Sequence, residues 1–569
     1  MPPPISSRTI RLTLAEAVAR HGALRVVLVA AFHLAALALM AWTEVDLLGR
    51  ALFLLAWGLL NFLWLTLIRR PALSAVLSLA MIVVLIVLSR FKSDNLWMTV
   101  SFLDIMIIDA DTIAFLLMVF PHLRVAIIVA IMLAVPLSIL AWRLDPFRVR
   151  RRAAALGAAA CFAGIIAISV AVPEEPWEAF LPDNYLSKFV RSGVTSASEL
   201  TTHGLFDAGA ETADRLTPGS EDACQPAGKR PHIIMVLDES SFDVRAVSGV
   251  KVPADYGSHF RSFDGATRSF VVEGAGGPTW YSEYNVLTGL STRSYGRFAY
   301  FVTRIAAGRV ERGLPQALRR CGYKTFTLYP VFGAFLSARK FQHSTGVERF
   351  IDSTEMGARD LEPDRFYYDN ALRLIGRERG PAPLFLFVYL TANHFPWDYP
   401  FHAELMPDWR GLGNASEVDE YIRRQIMSVR DYGEFVARLK RDFPDEAFLL
   451  VRFGDHQPNF AAKMLSPSLD DAAIGRRVMA HDPRYFTTYY AVDAVNFRPA
   501  DMSSALAQLE APYLPLVVQE AAGLPLDPSF REQKRILQRC GGIFYACAGG
   551  MEARHFNRLL IDAGLIKRL

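Results

Sequence analysis

Long apolar runs are confined to the first third of the chain, at about 24–42, 51–68, 72–89, 125–142 and 153–172. Each is close to the roughly 20 residues that cross about 30 Å of hydrocarbon. The first run is long, is soon followed by others and shows no small-residue cleavage site after it. It therefore reads as a span and not as a cleaved signal peptide. The 569 residues leave room for a membrane bundle and one large globular domain. Only 21% of residues are charged, which excludes a mainly disordered chain. A net charge of +4 gives no reason to expect a nucleic-acid partner.

Five spans put the two ends on opposite sides, and arginine placement gives the orientation. Arg8, Arg11, Arg20 and Arg25 precede the first span, Arg69 and Arg70 lie in the second connection, and Arg143, Arg148, Arg150, Arg151 and Arg152 lie in the fourth. The other connections hold only Arg50 and then Arg90, Lys92 and Arg124. The richer set is expected in the cytoplasm. The chain then reads as a multi-pass protein of the inner (cytoplasmic) membrane. Its N-terminus is cytoplasmic, and everything after about residue 173 is periplasmic or extracellular.

The expected organisation is a five-span membrane domain over 1–172, an interfacial linker over 173–230 and an outer domain over 231–569. The connection 93–123 is amphipathic and contains Asp104 and Asp109. It is read as an interfacial or re-entrant segment, with a sixth span as the alternative. Trp177, Phe180, Tyr185 and Phe189 could hold the start of the linker at a membrane surface.

From His232 the pattern changes. Continuous apolar runs at His232–Leu237, Tyr323–Tyr329, Leu384–Leu390, Ala447–Phe453 and Tyr485–Val495 read as buried strands. Helix-like stretches at 312–320, 366–376 and 416–440 alternate with them. The pattern predicts an α/β domain with a mostly parallel sheet and flanking helices. In such sheets function collects at the carboxyl ends of the strands.

The first strand ends in Asp238-Glu239-Ser240, and the run before 454 ends in Gly454-Asp455-His456. A strand-end carboxylate is a good ligand for a divalent metal, and an adjacent Asp and His supply one oxygen and one nitrogen, as zinc or manganese prefers. Helix capping and an exposed turn are the plainer readings of the same residues. Gly274-Ala275-Gly276-Gly277-Pro278 leads into Thr279 and a helix-like run to Leu287. Thr279 would sit at a helix N-terminus, where an alkoxide or a phosphate is stabilised, or would merely cap the helix. His394, after the strand ending at Leu390, could contact a phosphate, act as acid or base, or be a satisfied core histidine.

A strand-end Glu, a glycine-loop Thr, a strand-end His and a strand-end Asp-His, in that order, resemble the alkaline phosphatase/sulfatase superfamily. With the spans ahead of it, the chain resembles the lipoteichoic acid synthase and phosphoethanolamine transferase group of membrane enzymes. The Thr279…Ser282-Glu283-Tyr284…Leu287-Thr288-Gly289 run is most similar to the former branch. The resemblance implies metal ligation of one Mn2+ or Zn2+ ion by Glu239, Thr279, Asp455 and His456, with Thr279 as nucleophile and His394 as a substrate-phosphate contact. It implies transfer of a phosphoglycerol or phosphoethanolamine headgroup from a phospholipid donor, through a phosphothreonine, to a glycan or lipid acceptor of the envelope.

The former branch has a Trp-Asn-Arg run after the second strand, where this chain has Leu336-Ser337-Ala338 followed by Arg339. Arg339 could take the phosphate role from a shifted position, but the tryptophan has no equivalent. Trp280, Tyr281 and Trp397 could face a cationic headgroup or simply pack. A formylglycine sulfatase needs C/S-x-P-x-R. Cys224-Gln225-Pro226-Ala227-Gly228 lacks the arginine. A membrane-anchored phosphodiesterase, phosphatase or sulfatase-like hydrolase fits the same residues, and a non-catalytic protein binding an envelope glycan or partner is a further alternative. Cys540 and Cys547 could close a small loop in an oxidising compartment. Cys161, inside a span, reads as a packing residue.

Overall fold

A computed structural model describes residues 26–567 apart from 28, 146, 217–223 and 225–229. It divides into two compact units. One runs up to Ile105 and resumes over Val119–Glu199. The other joins Met106–Met118 to Leu200–Leu569.

The first unit is helical. An apolar helix α1 covers Val29–Thr43. It coincides with the first expected span up to residue 42 and runs one residue beyond it, and the start of that span lies outside the described residues. Along the chain then follow α2 (Leu47–Ile68), α3 (Pro71–Leu96), α4 (Ala110–Val119), α5 (His122–Leu144), α6 (Arg151–Ala171) and α7 (Tyr185–Thr202). Of these, α4 groups with the second unit. Among the described residues four helices are long and apolar enough to cross a membrane: α2, α3, most of α5, and α6. Small residues bring α2 and α6 together. A Cβ on Gly157 would meet the Phe62 ring at 2.9 Å, and one on Gly58 would meet Cys161 Sγ at 2.9 Å.

The connection 93–123 does not form another span. A 3-10 turn over Phe102–Ile107 leads to α4, whose 10 residues rise only about 15 Å. The chain from 173 to 199 is ordered into the first unit. Arg191 is paired with Glu178 at 2.7 Å, and the Phe180 ring lies 5.1 Å from that of Trp97.

The second unit is built on one eight-stranded sheet. Its strands are β1 (His232–Asp238), β2 (Arg268–Val271), β3 (Lys324–Leu328), β4 (Arg349–Ile351), β5 (Leu384–Tyr389), β6 (Phe448–Gly454), β7 (Thr487–Val495) and β8 (Gln508–Glu510). They lie in the order β4-β3-β5-β1-β6-β7-β2-β8. All neighbouring pairs are parallel except those of β7, which runs antiparallel to β6 and to β2. Every residue of β1, β5 and β6 is buried, because helices cover both faces of the centre. On one face Ile234, Val236, Leu386 and Leu450 pack with Tyr367 and Leu374 of the helix Asp364–Glu378 and with Phe435 of the helix Ser416–Asp442.

Disulfides join Cys224 to Cys321 and Cys540 to Cys547. The first of these removes Cys224 as a free thiol and with it the remaining basis for formylglycine chemistry at that position.

Candidate active site

The central strands β1 and β6 deliver their C-terminal residues side by side, with Asp238 in register with Gly454. Glu239 therefore emerges next to Asp455 and His456. All three are buried, and one ligand atom from each lies within 4.8 Å of the others. His456 Nε2 is 3.3 Å from Asp455 Oδ2 and 3.5 Å from Glu239 Oε1.

Gly454 makes this juxtaposition possible. A Cβ there would lie 1.8 Å from the carbonyl oxygen of Ser241, in the loop that carries Glu239 away from β1. The backbone N–H groups of Ser240 and His456 both donate to Asp455 Oδ1, at 2.7 and 2.9 Å. Asp455 Oδ2 has no hydrogen-bond donor although it is fully buried. Such an orphaned oxygen is costly without a cation beside it.

The third element is α8 (Thr279–Thr288). Gly276 and Gly277 take positive φ values of 71° and 155°, which turn the chain into Pro278 and start the helix at Thr279. The Thr279 hydroxyl lies 3.4 Å from Glu239 Oε2 and 3.4 Å from His456 Nε2. Three residues on, Ser282 Oγ donates to the Asp455 carbonyl at 2.5 Å and locks α8 to the end of β6.

The electrostatics suit a cation. Burial, with the charge of Asp455 adding to it, pushes the Glu239 carboxyl well above its ordinary range. Burial also raises that of Asp455. The His456 ring donates from Nδ1 to the Gln457 carbonyl at 2.9 Å, which turns Nε2 toward the two carboxylates. Two oxygen donors, one such nitrogen and an unsatisfied buried oxygen fit a divalent metal ion, which Glu239, Asp455 and His456 could hold.

His394 follows β5. Its Nδ1 donates to the Phe395 carbonyl at 2.7 Å. Desolvation pushes the imidazole down to about 4 against that hydrogen bond, with His456 and Arg424 adding to the effect. The ring is neutral at physiological pH, and its Nε2 carries a lone pair. The loop is pinned by buried groups that sequence reasoning did not single out. Arg424 donates to the carbonyls of His394, Pro396 and Tyr399 at 2.7, 2.8 and 2.9 Å. Asp364 accepts from the N–H groups of Thr391 and Ala392.

The other expected contacts are placed differently. Arg339 donates to Asp352 and Glu355, both at 2.7 Å, so a phosphate would have to compete with two carboxylates for it. Trp280, next to Thr279, is half-buried. Its indole donates to the Tyr300 carbonyl at 2.8 Å and its ring meets that of Tyr300 edge-on. Trp397 is buried against Tyr421 and Phe460 and is a packing residue.

A mostly parallel α/β sheet with a strand-end carboxylate, an Asp-His pair and a helix-start threonine defines a class of enzyme domain. Residues 267–489 match the Sulfatase family, a stretch that contains Thr279, His394, Asp455 and His456 but begins after Glu239. That stretch of the second unit is sulfatase-like, and apolar helices precede it in the chain. It is 26% identical over 274 residues to the capsular polysaccharide biosynthesis protein RkpI of Rhizobium meliloti, covering 45% of this chain and 47% of that protein. The chain spans about half the length of the curated relatives it matches. Similar solved structures include the phosphoglycerol transferase GacH of Streptococcus pyogenes in complex with sn-glycerol-1-phosphate. That match has a TM-score of 0.45 and 16% identity, covering 59% of this chain and 85% of that one. Another is the lipooligosaccharide phosphoethanolamine transferase EptA of Neisseria meningitidis, with a TM-score of 0.42 and 11% identity over 86% of this chain and 98% of that one.

Proposed function

We propose that the chain transfers a phospholipid headgroup, phosphoglycerol or phosphoethanolamine, to a glycan or lipid acceptor of the cell envelope by way of Thr279. The observation that carries this reading is the Thr279 hydroxyl at the start of α8, 3.4 Å from both Glu239 and His456 in a buried three-ligand cluster. Four apolar helices on the same chain favour a donor that resides in a bilayer. Two disulfides agree with a catalytic domain in an oxidising, periplasmic or extracellular space. The name of the Rhizobium relative agrees with a glycan acceptor.

A divalent ion, Mn2+ or Zn2+, would be held by Glu239, Asp455 and His456 with the Thr279 oxygen, and would supply a lowered hydroxyl pKa and charge stabilisation at phosphorus. Thr279 Oγ1 attacks the phosphodiester. The bond from phosphorus to the diacylglycerol oxygen breaks, and that oxygen leaves with the proton that the Thr279 hydroxyl gives up. The Thr279 and Tyr281 N–H groups already donate to the Gly277 and Pro278 carbonyls, so α8 contributes the positive end of its dipole toward the negative charge that builds on the phosphoryl oxygens. In the second step an acceptor hydroxyl displaces Thr279. His394 Nε2, neutral and bearing a lone pair, relays that hydroxyl's proton to the departing Thr279 oxygen, which restores the Thr279 hydroxyl. Trp280 offers part of an aromatic face beside the nucleophile.

The test is a lipid assay on the detergent-solubilised full chain with phosphatidylglycerol or phosphatidylethanolamine and Mn2+ or Zn2+. Diacylglycerol release from one lipid, abolished in Thr279→Ala, is the expected result. No release from either lipid, with or without a candidate glycan, moves the hydrolase and non-catalytic readings ahead.

A further inference from the structure

The Glu239, Asp455 and His456 cluster lies at the carboxyl ends of β1 and β6, and the sheet continues past β6 into β7 and β2. Beside those two strands lies a cavity of about 790 Å3, within the range of ordinary ligand sites. Its lining is mixed. Phe242 and Tyr489 contribute apolar surface, Thr267 and Ser269 offer hydroxyls, and the Thr487 hydroxyl, which donates to the Pro483 carbonyl at 2.8 Å, can still accept. Three arginines, Arg245, Arg268 and Arg484, line it against one carboxylate, Asp243. Arg268 is held by Asp264 at 2.6 Å, and Arg245 is bound through two nitrogens to Asp243. Arg484 is exposed, and its guanidinium makes no ion pair among the described residues. The cavity therefore carries an uncompensated positive charge beside a hydrogen-bonding wall.

This wall is linked to the catalytic cluster. Gln457, which lines the cavity, donates from Nε2 to the carbonyls of Arg484 and Thr487 at 3.0 and 2.8 Å. Its own carbonyl accepts the Nδ1 proton of His456. Thr488, also in the lining, donates to the carbonyl of Gly454 at 2.8 Å. The segment bearing Arg484 is thus one side chain away from a metal ligand. Trp280 lies elsewhere around the cluster, against Tyr300 and Phe335.

We infer that this cavity is the acceptor subsite, and that the acceptor is a hydroxyl-rich chain bearing an acid group, that is, an acidic glycan. Arg484 receives the acid group with Arg245 beside it, and the threonine and serine hydroxyls meet the sugar hydroxyls. A neutral glycan would leave Arg484 without a partner, and a second acyl lipid would leave the Thr267 and Ser269 hydroxyls unpaired. The acceptor role rests on the transfer reading above, whereas the binding chemistry does not.

The experiment measures binding to the full chain in detergent with Zn2+ present. The probes are a hexameric oligogalacturonate, neutral maltohexaose and sn-glycerol 1-phosphate, which stands for the donor headgroup. Arg484→Ala and Arg484→Glu are compared with wild type, and Arg377→Ala, an exposed arginine paired with Glu378, is the control. Melting temperatures check that each variant is folded. The expected result is that the oligogalacturonate binds and maltohexaose binds at least about tenfold more weakly. Arg484→Ala should weaken the acidic oligomer by about tenfold or more, Arg484→Glu should weaken it further, and Arg377→Ala should leave it unchanged. Equal binding of the acidic and neutral oligomers, or no effect of either Arg484 substitution, overturns the proposal. So does a loss confined to sn-glycerol 1-phosphate, which would assign the cavity to the donor. Binding is read without turnover. If Arg484-dependent binding holds but Thr279 never becomes modified, the acidic-glycan site stands, and the transfer reading and the acceptor role both fail.

Discussion

Gly454→Ala adds one methyl group at the point where β6 hands over to the Asp455-His456 pair. The new carbon would stand 1.8 Å from the Ser241 carbonyl oxygen, 2.9 Å from its carbon and 3.1 Å from Thr488 Cβ. The first distance is about 1.5 Å short of the roughly 3.3 Å at which carbon and a carbonyl oxygen normally approach. The obstacle is backbone, so no rotamer change relieves it. Either the end of β6 or the loop after β1 must move, and each carries ligands of the cluster. Overpacking of this kind costs about 1–3 kcal/mol or more. A displacement of about 1 Å at reacting groups costs about 100-fold in rate. We expect Gly454→Ala to lower the melting temperature, to weaken Zn2+ binding by about tenfold or more in calorimetric titration, and to lower turnover by about 100-fold. Gly433 is the control. It lies in the helix Ser416–Asp442, and a methyl group added there would have nothing within 4 Å, so Gly433→Ala should be neutral or stabilising. Unchanged metal affinity and stability in Gly454→Ala would mean that the close approach of Gly454 to Ser241 does not hold the cluster in place.

Removing divalent metal with a chelator should lower the melting temperature, and Zn2+ or Mn2+ should restore it. At free metal about 100-fold above Kd the stabilisation is about 2.7 kcal/mol. Asp364 is buried, and desolvation, with the charge of Asp238 adding, raises its carboxyl from 3.8 to about 7. The native state then keeps a proton that the unfolded chain releases, so this group's contribution to stability falls as pH rises from about 4 to about 7. Asp364→Asn should flatten that part of the stability profile in melts between about pH 4 and 8. Removing the Cys224–Cys321 bridge, which closes 97 residues, should cost more stability than removing Cys540–Cys547, which closes 7. On loop-closure entropy alone the longer bridge contributes about 4–5 kcal/mol, and paired serine variants in thermal melts check the order.

The strands that frame the site were legible because they are buried on both faces. β1, β3, β5, β6 and β7 each lie within an expected apolar run or overrun it by one residue. By contrast, β2, β4 and β8 span only 4, 3 and 3 residues, too short to stand out from loop sequence. The four apolar helices could be read from length and hydropathy. Glu239, Thr279, Asp455 and His456 stood out because strand ends and a glycine loop leave local traces. The supports of the site left none. Arg424 looks like part of a solvated helix face, and only the fold buries it under the His394 loop. Asp364 and Ser282 act across 27 and 173 residues of sequence. Arg339 fitted a phosphate role by position, but the sequence could not reveal that Asp352 and Glu355 would face it.

Mass spectrometry of the Thr279 peptide tests directly whether Thr279 carries the headgroup. The full chain is mixed with phosphatidylglycerol or phosphatidylethanolamine and metal, and with no acceptor. The expected product is a headgroup phosphodiester on Thr279, formed together with an equal amount of diacylglycerol and absent from the same peptide of Thr279→Ala. An unmodified Thr279 with no diacylglycerol released from either lipid would contradict it.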